Sequence, residues 1–233
     1  MITGQHDRFK DAPWYGGLPI TVIGAGGIGS WTSLLLSRMG HDLYVYDDDV
    51  IEAANIGGQF YGPDNVGFNK VEALSQHLHT ISGPTSITEM GRFEQGSPIS
   101  DIVILALDNM HYRKIAAEQW YDLQMAKKAA GTDTTGQINL LIDGRMEAET
   151  AIIYSVDRPS KFRKWTDEWF PDENVPDAPC SFRATSHNAS LIASIIVSLL
   201  NNKITNVREG ADYREVPYKV RYNLHLIDFD VEV

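Results

Sequence analysis

The chain has 233 residues, 43% hydrophobic and 22% charged, which suits one sizeable domain with its own core and is a little short for two. A net charge of −11 argues against a nucleic-acid groove as the main business of the surface, and no uninterrupted apolar run of about 18 residues suggests a membrane span. The single cysteine, Cys180, excludes an internal disulfide framework and a multi-cysteine zinc site.

The polar stretch Met1 to Lys10 lacks the apolar core of a secretory leader, so cytoplasm is the expected compartment. Leu18 to Ile23 is an apolar run that ends at Gly24-Ala-Gly-Gly-Ile-Gly29, and Ser30 to Met39 then carries apolar residues at helical spacing. Gly40 stops that helix, and Leu43 to Tyr46 reads as a second strand closing on Asp47-Asp-Asp49. Strand, glycine turn, helix, strand and acid make a βαβ unit with a parallel sheet.

Asn55 to Asn69 is rich in Gly, Pro, Asp and Asn and reads as loop or broken helix. Lys70 to Ile81 reads as a helix. Asp101 to Leu107 alternates too little to be half-exposed and reads as a buried strand ending at Asp108-Asn109. His111 to Ala130 is a long helix stopped by Gly131, and Ile138 to Ile142 and Ala151 to Ser155 are further strands. Asp157 to Pro179 holds four prolines and two tryptophans, and reads as a surface excursion with one short helix over Phe162 to Phe170. Ala189 to Leu200 is the most apolar helix, ended by Asn201-Asn202, and Tyr218 to Val233 alternates as a strand or hairpin. No linker divides the chain, so residues 1–233 are read as a single domain.

Gly24, Gly26 and Gly29 have G-x-G-x-x-G spacing between strand and helix, with Gly27 inside the turn. Glycine there lets the backbone turn tightly and approach a phosphate, while the helix N-terminus supplies N–H donors. Asp47 stands about 20 residues on, where a carboxylate can accept from ribose hydroxyls. The bland alternative is a tight strand–helix turn without a ligand, with the acids as a solvated strand end. An NAD-dependent oxidoreductase opens the same way.

The run Asp47-Asp-Asp-Val-Ile-Glu-Ala-Ala-Asn-Ile-Gly-Gly-Gln-Phe60, followed by Asp64 to Glu72, resembles the ThiF/MoeB/HesA family of ubiquitin-activating-type adenylyltransferases. That family reads acid, x, acid, then Val, Asn, Arg-Gln and Gly-x-x-Lys. The matching positions are Asp47, Asp49, Asn55, Gln59, Gly67 and Lys70. Leu107-Asp108-Asn109 with Arg113 resembles the family's Thr-Asp-Asn-x-x-x-Arg, and Gly144-Arg145-Met146-Glu147 resembles a later strand.

The resemblance implies an α/β fold: a Rossmann-like, doubly wound, mainly parallel sheet with helices on both faces. It implies adenylation of a carboxylate by ATP with Mg²⁺, most naturally the C-terminal glycine of a ubiquitin-like or sulfur-carrier protein. It implies a homodimer as well. Lys70 would place a point charge on the phosphates, Asp108 would ligate Mg²⁺, Asn55 would contact phosphate, and Gln59 would bond the nucleotide or the incoming carboxylate. Gly24, Gly26, Gly27, Gly29, Asp47, Asp49 and Asn109 would complete the nucleotide site. The bland readings are a solvated Lys70 and an Asn109 that caps the next helix.

The sequence departs from the family in three ways. Gly58 stands where the family has arginine, the paired Cys-x-x-Cys motifs are missing so no zinc is expected, and the loop from Asp157 to Pro179 is unlike the family's. Arg8 and Arg145 are the candidates to replace the missing cation. Cys180, with Arg183 nearby, is a candidate acceptor of the activated carbonyl. Against the enzyme stands a degenerate nucleotide-binding subunit that needs a competent partner, which Gly58 favours.

Overall fold

The computed structural model describes residues 7–83, 86–132, 136–171, 173 and 185–233. Strand β1 (Pro19–Ile23) runs into helix α1 (Gly27–Arg38), which returns to β2 (Asp42–Tyr46). Two single 3₁₀ turns, at Ala53–Asn55 and Pro63–Asn65, lead to α2 (Lys70–Ser82) and β3 (Ile87–Gly91). Then come β4 (Ile102–Leu105), α3 (Met110–Ala129), β5 (Leu140–Glu147), β6 (Thr150–Val156) and α4 (Pro159–Asp167). The long α5 (Ser186–Glu209) and a closing hairpin, β7 (Lys219–Asn223) and β8 (Asp228–Glu232), complete the fold.

The eight strands form one sheet in the order β3-β2-β1-β4-β5-β6-β7-β8. The first five are parallel, and β5 through β8 pair antiparallel. The sheet is doubly wound as expected, with an antiparallel extension on one side. All four residues of β4 are buried because both faces are covered. Ile102 and Ile104 join one core with α1, α2 and α5, and Val103 and Leu105 join the other with α3 and α4.

Three expectations need correction. The excursion from Asp157 begins as a packed helix: Pro159 in the first turn starts α4, and Phe162 and Trp165 are buried in the second core. Asn201-Asn202 does not end α5. Asn202 and Asn206 instead donate to the Glu215 and Arg214 carbonyls of the following loop, and the helix stops at Gly210, whose φ of 67° takes the left-handed conformation glycine permits. By length and composition alone α5 could cross a membrane, yet Ile192, Ile196 and Leu200 are buried in the first core. Finally, β3 was not expected at all.

Candidate active site

The C-terminal ends of β1 and β4 lie side by side where the chain's winding reverses, with α1 leading away on one side and α3 on the other. Open α/β sheets bind ligands at such a point. The turn after β1 is packed to its limit at two glycines. A Cβ on Gly24, whose φ is 100°, would stand 2.6 Å from the Ala106 carbonyl oxygen, and a Cβ on Gly29 would stand 1.8 Å from the Gly24 oxygen. Gly26 is different. It caps α1, and a Cβ there would meet nothing nearer than Gln59 Nε2 at 3.9 Å. Packing does not require that glycine.

Asp47 is tied into the turn. Its Oδ2 accepts from the Ala25 N–H at 2.7 Å and its Oδ1 from the Asp49 N–H at 2.9 Å. Burial pushes its carboxyl above the usual range, against the opposing pull of Lys70. Each oxygen keeps a second lone pair for a ribose hydroxyl.

Lys70 is brought to these acids by the backbone. Ile51 and Phe68 are hydrogen-bonded across the loop, Val50 bridges Asn69, and the Lys70 N–H donates to the Asp49 carbonyl. Asn69 then caps α2 by accepting from the Val71 and Glu72 N–H groups. The Lys70 ammonium is buried, 2.6 Å from Asp49 Oδ2 and 3.9 Å from Asp47 Oδ1. It is not the solvated lysine of the bland reading.

Gln59 faces Gly26, and its buried Oε1 has no partner among the described residues. Asn55 uses its Oδ1 to accept from Glu52 N–H, which leaves its NH₂ as a donor. Gly58 is buried and its carbonyl accepts from Trp31 Nε1 at 3.2 Å. Tyr61, which the motifs did not single out, is buried and donates to the carbonyls of Ala25 and Lys70 at 2.7 and 3.2 Å. It fastens the glycine turn to the start of α2. Its signal was only an aromatic residue inside a polar loop.

Asp108 is exposed just past β4, and Asn109 caps α3 by accepting from the Tyr112 N–H at 2.9 Å. The capping role expected of Asn109 as the bland reading is therefore real. Among the described residues no three His, Cys, Asp or Glu side chains converge. A lone exposed carboxylate fits Mg²⁺, which takes one or two carboxylates and fills its remaining positions with phosphates and water. Arg145 is anchored through two of its nitrogens, while its buried Nη1 has no partner among the described residues. It holds Asp143 Oδ2 from Nε at 2.9 Å and Nη2 at 2.7 Å, and it lies over the ring of Tyr154. Arg8 is exposed. Cys180 and Arg183 lie outside the described residues.

Known proteins bear on this arrangement in two ways. Escherichia coli MccB, solved with ATP, superposes with a TM-score of 0.62 at 16% identity, over 98% of this chain and 65% of that one. PaaA superposes with a TM-score of 0.64 at 19% identity, over 98% and 65%. At such identities the likeness is one of fold. In sequence, ubiquitin-like modifier-activating enzyme 5 of Drosophila ananassae is 31% identical over 133 residues, which are 48% of this chain and 32% of that protein. The chain thus spans about a third of the length of such relatives. The pattern of the ThiF family matches residues 18–216, and the chain belongs to that family.

Proposed function

We propose that the chain binds ATP over the glycine turn and adenylates a carboxylate, that of the C-terminus of a ubiquitin-like, sulfur-carrier or other peptide substrate. The observation that carries this reading is Gly26, a glycine at a helix N-terminus that the protein's own packing does not need, since an added Cβ would meet only the flexible Gln59 amide at 3.9 Å. A backbone bare at that point lets phosphates approach N–H donors. The family membership and the ATP in the MccB structure point the same way.

In the reaction a carboxylate oxygen bonds to the α-phosphorus, the bond from that phosphorus to the bridging oxygen breaks, and pyrophosphate leaves. Charge gathers on phosphate oxygens, so fixed donors and cations supply most of the acceleration. Gly26, Gly27 and Ile28 offer the first N–H groups of α1. Lys70 exchanges part of its hold on Asp49 for phosphate, and Asn55 and Gln59 add neutral donors. Asp47 takes the ribose. Asp108 would hold Mg²⁺, which supplies Lewis-acid charge to the phosphates. The substrate carboxylate is already ionised, so no general base is needed.

Calorimetry with ATP and with NAD separates this reading from a dehydrogenase. We expect ATP to bind more tightly, and Gly26→Val to abolish its binding. Tighter binding of NAD, or ATP binding unchanged in the variant, overturns the proposal. Gly58 keeps a second reading in play, a nucleotide-binding subunit that needs another protein for catalysis. That reading is favoured if ATP binds but no carboxylate is activated.

A further inference from the structure

Asp143 is fully buried in β5, level with Leu105 at the end of β4, and it is surrounded by donors. Arg113 of α3 pairs with its Oδ1, Arg145 forks onto its Oδ2, and Trp165 of α4 donates to the same oxygen at 3.0 Å. Burial alone would raise this carboxyl, but Arg113 and then Arg145 outweigh it and hold it below the usual carboxylate range.

Arg113 reaches further. Its Nη1 also donates to the Leu105 carbonyl at 3.4 Å, and its Nη2 donates to the carbonyl of Leu107. Leu107 immediately precedes Asp108, whose charge acts on the same guanidinium. A rigid path therefore runs from Asp143 through the Arg113 fork to the two carbonyls that aim Asp108. Arg113 alone would be a buried cation with no anion, free to swing toward Asp108 and neutralise it. Asp143 satisfies it from behind and leaves the Asp108 carboxylate for a different cation.

We propose that Asp143 is a positioning residue: by holding Arg113 it sets the geometry of Asp108 and keeps Arg113 from pairing with it, and so sets the affinity of the nucleotide site for its divalent cation. This deepens the function proposed above and rests on it. It assigns Asp143 no contact with substrate.

The test is a cycle of variants in the full chain, with Mn²⁺ as the probe. Paramagnetic resonance reads Mn²⁺ affinity in the presence of a non-hydrolysable ATP analogue, and calorimetry reads metal-free binding of the same analogue. Residues that orient a metal ligand typically change affinity about 10- to 100-fold. Asp143→Asn should lower Mn²⁺ affinity by at least about tenfold, with metal-free nucleotide affinity unchanged. In an Asp108→Asn background the same substitution should cost nothing more. If Asp143→Asn does not fold, Arg113→Lys runs the identical cycle, because it keeps a cation on Asp143 but loses the fork to Leu107. Losses that multiply across the two backgrounds, or Mn²⁺ affinity equal to that of the unmodified chain, overturn the proposal and leave the adenylating function standing. An unmodified chain that binds no nucleotide overturns both.

Discussion

Two glycines three residues apart in one turn, Gly26 and Gly29, should respond in opposite ways to the same added methyl group. At Gly29 the new Cβ would stand 1.8 Å from the Gly24 oxygen, a backbone atom that cannot rotate away. Relief requires α1 to lift from β1, and α1 is held by the core that Ile28 and Leu36 share with α5. Overpacking typically costs about 1–3 kcal/mol, and a backbone clash this close belongs at the top of that range. For a chain of this size about 3 kcal/mol lowers Tm by roughly 6–12 °C. At Gly26 the same methyl meets only Gln59 Nε2 at 3.9 Å, so Gly26→Ala should change stability by less than about 0.5 kcal/mol. It should still lower ATP affinity at least about tenfold, since it fills space reserved for phosphate. Thermal melting and calorimetry on both variants decide the matter. If Gly26→Ala melts as low as Gly29→Ala, or binds ATP as the unmodified chain does, the division between a structural and a functional glycine is wrong.

Asp108→Ala should reduce carboxylate-dependent pyrophosphate exchange by at least about 100-fold while leaving Tm in place, since the side chain is exposed; retained exchange would move the metal ligand elsewhere. His41 is buried with neither ring nitrogen bonded among the described residues, and burial, aided by Arg208, lowers its pKa to about 4. Between that value and the unfolded value of about 6.5 only the unfolded chain takes the proton, so this residue should withdraw up to about 3 kcal/mol of stability as pH falls from 6.5 to 4. His41→Leu should flatten denaturant-derived stability over that window, and an unchanged pH profile would refute the assignment. The proposal that Arg8, which is exposed, supplies from a second copy of the chain the cation missing at Gly58 has a direct test. A mixture of Lys70→Ala and Arg8→Ala proteins should then recover part of the exchange activity that each lacks alone, and an Arg8→Ala protein of full activity excludes this role.

The parallel half of the sheet was legible because local signals agree there. Apolar runs, a glycine turn and a strand-end acid each demand the same βαβ geometry, and every residue of β4 is buried as its lack of alternation implied. The strand at Ile87–Gly91 was hidden because it is an edge, mostly exposed, and Ile-Thr-Glu-Met-Gly presents no apolar face to read. Asn201-Asn202 misled because asparagine is a common helix terminator, whereas these side chains lie along α5 and Asn202 binds the loop that follows it. In the site, spacing pointed to Asp47 and the family resemblance to Lys70 and Gln59, and the fold does gather all three around the glycine turn. It gave no hint of Tyr61 or Asp143. Both act through partners 30 or more residues away, at Ala25 for Tyr61 and at Arg113 for Asp143. Contacts of that range depend on how the strands are ordered, which no local pattern contains.

The central claim is that this chain activates a carboxylate with ATP, and isotope exchange between labelled pyrophosphate and ATP tests it most directly. With Mg²⁺ and a peptide or small protein ending in a free carboxylate, label should enter ATP. With the same substrate amidated at its C-terminus, it should not. Exchange that ignores the carboxylate, or no exchange with any free C-terminus despite tight ATP binding, would contradict the account.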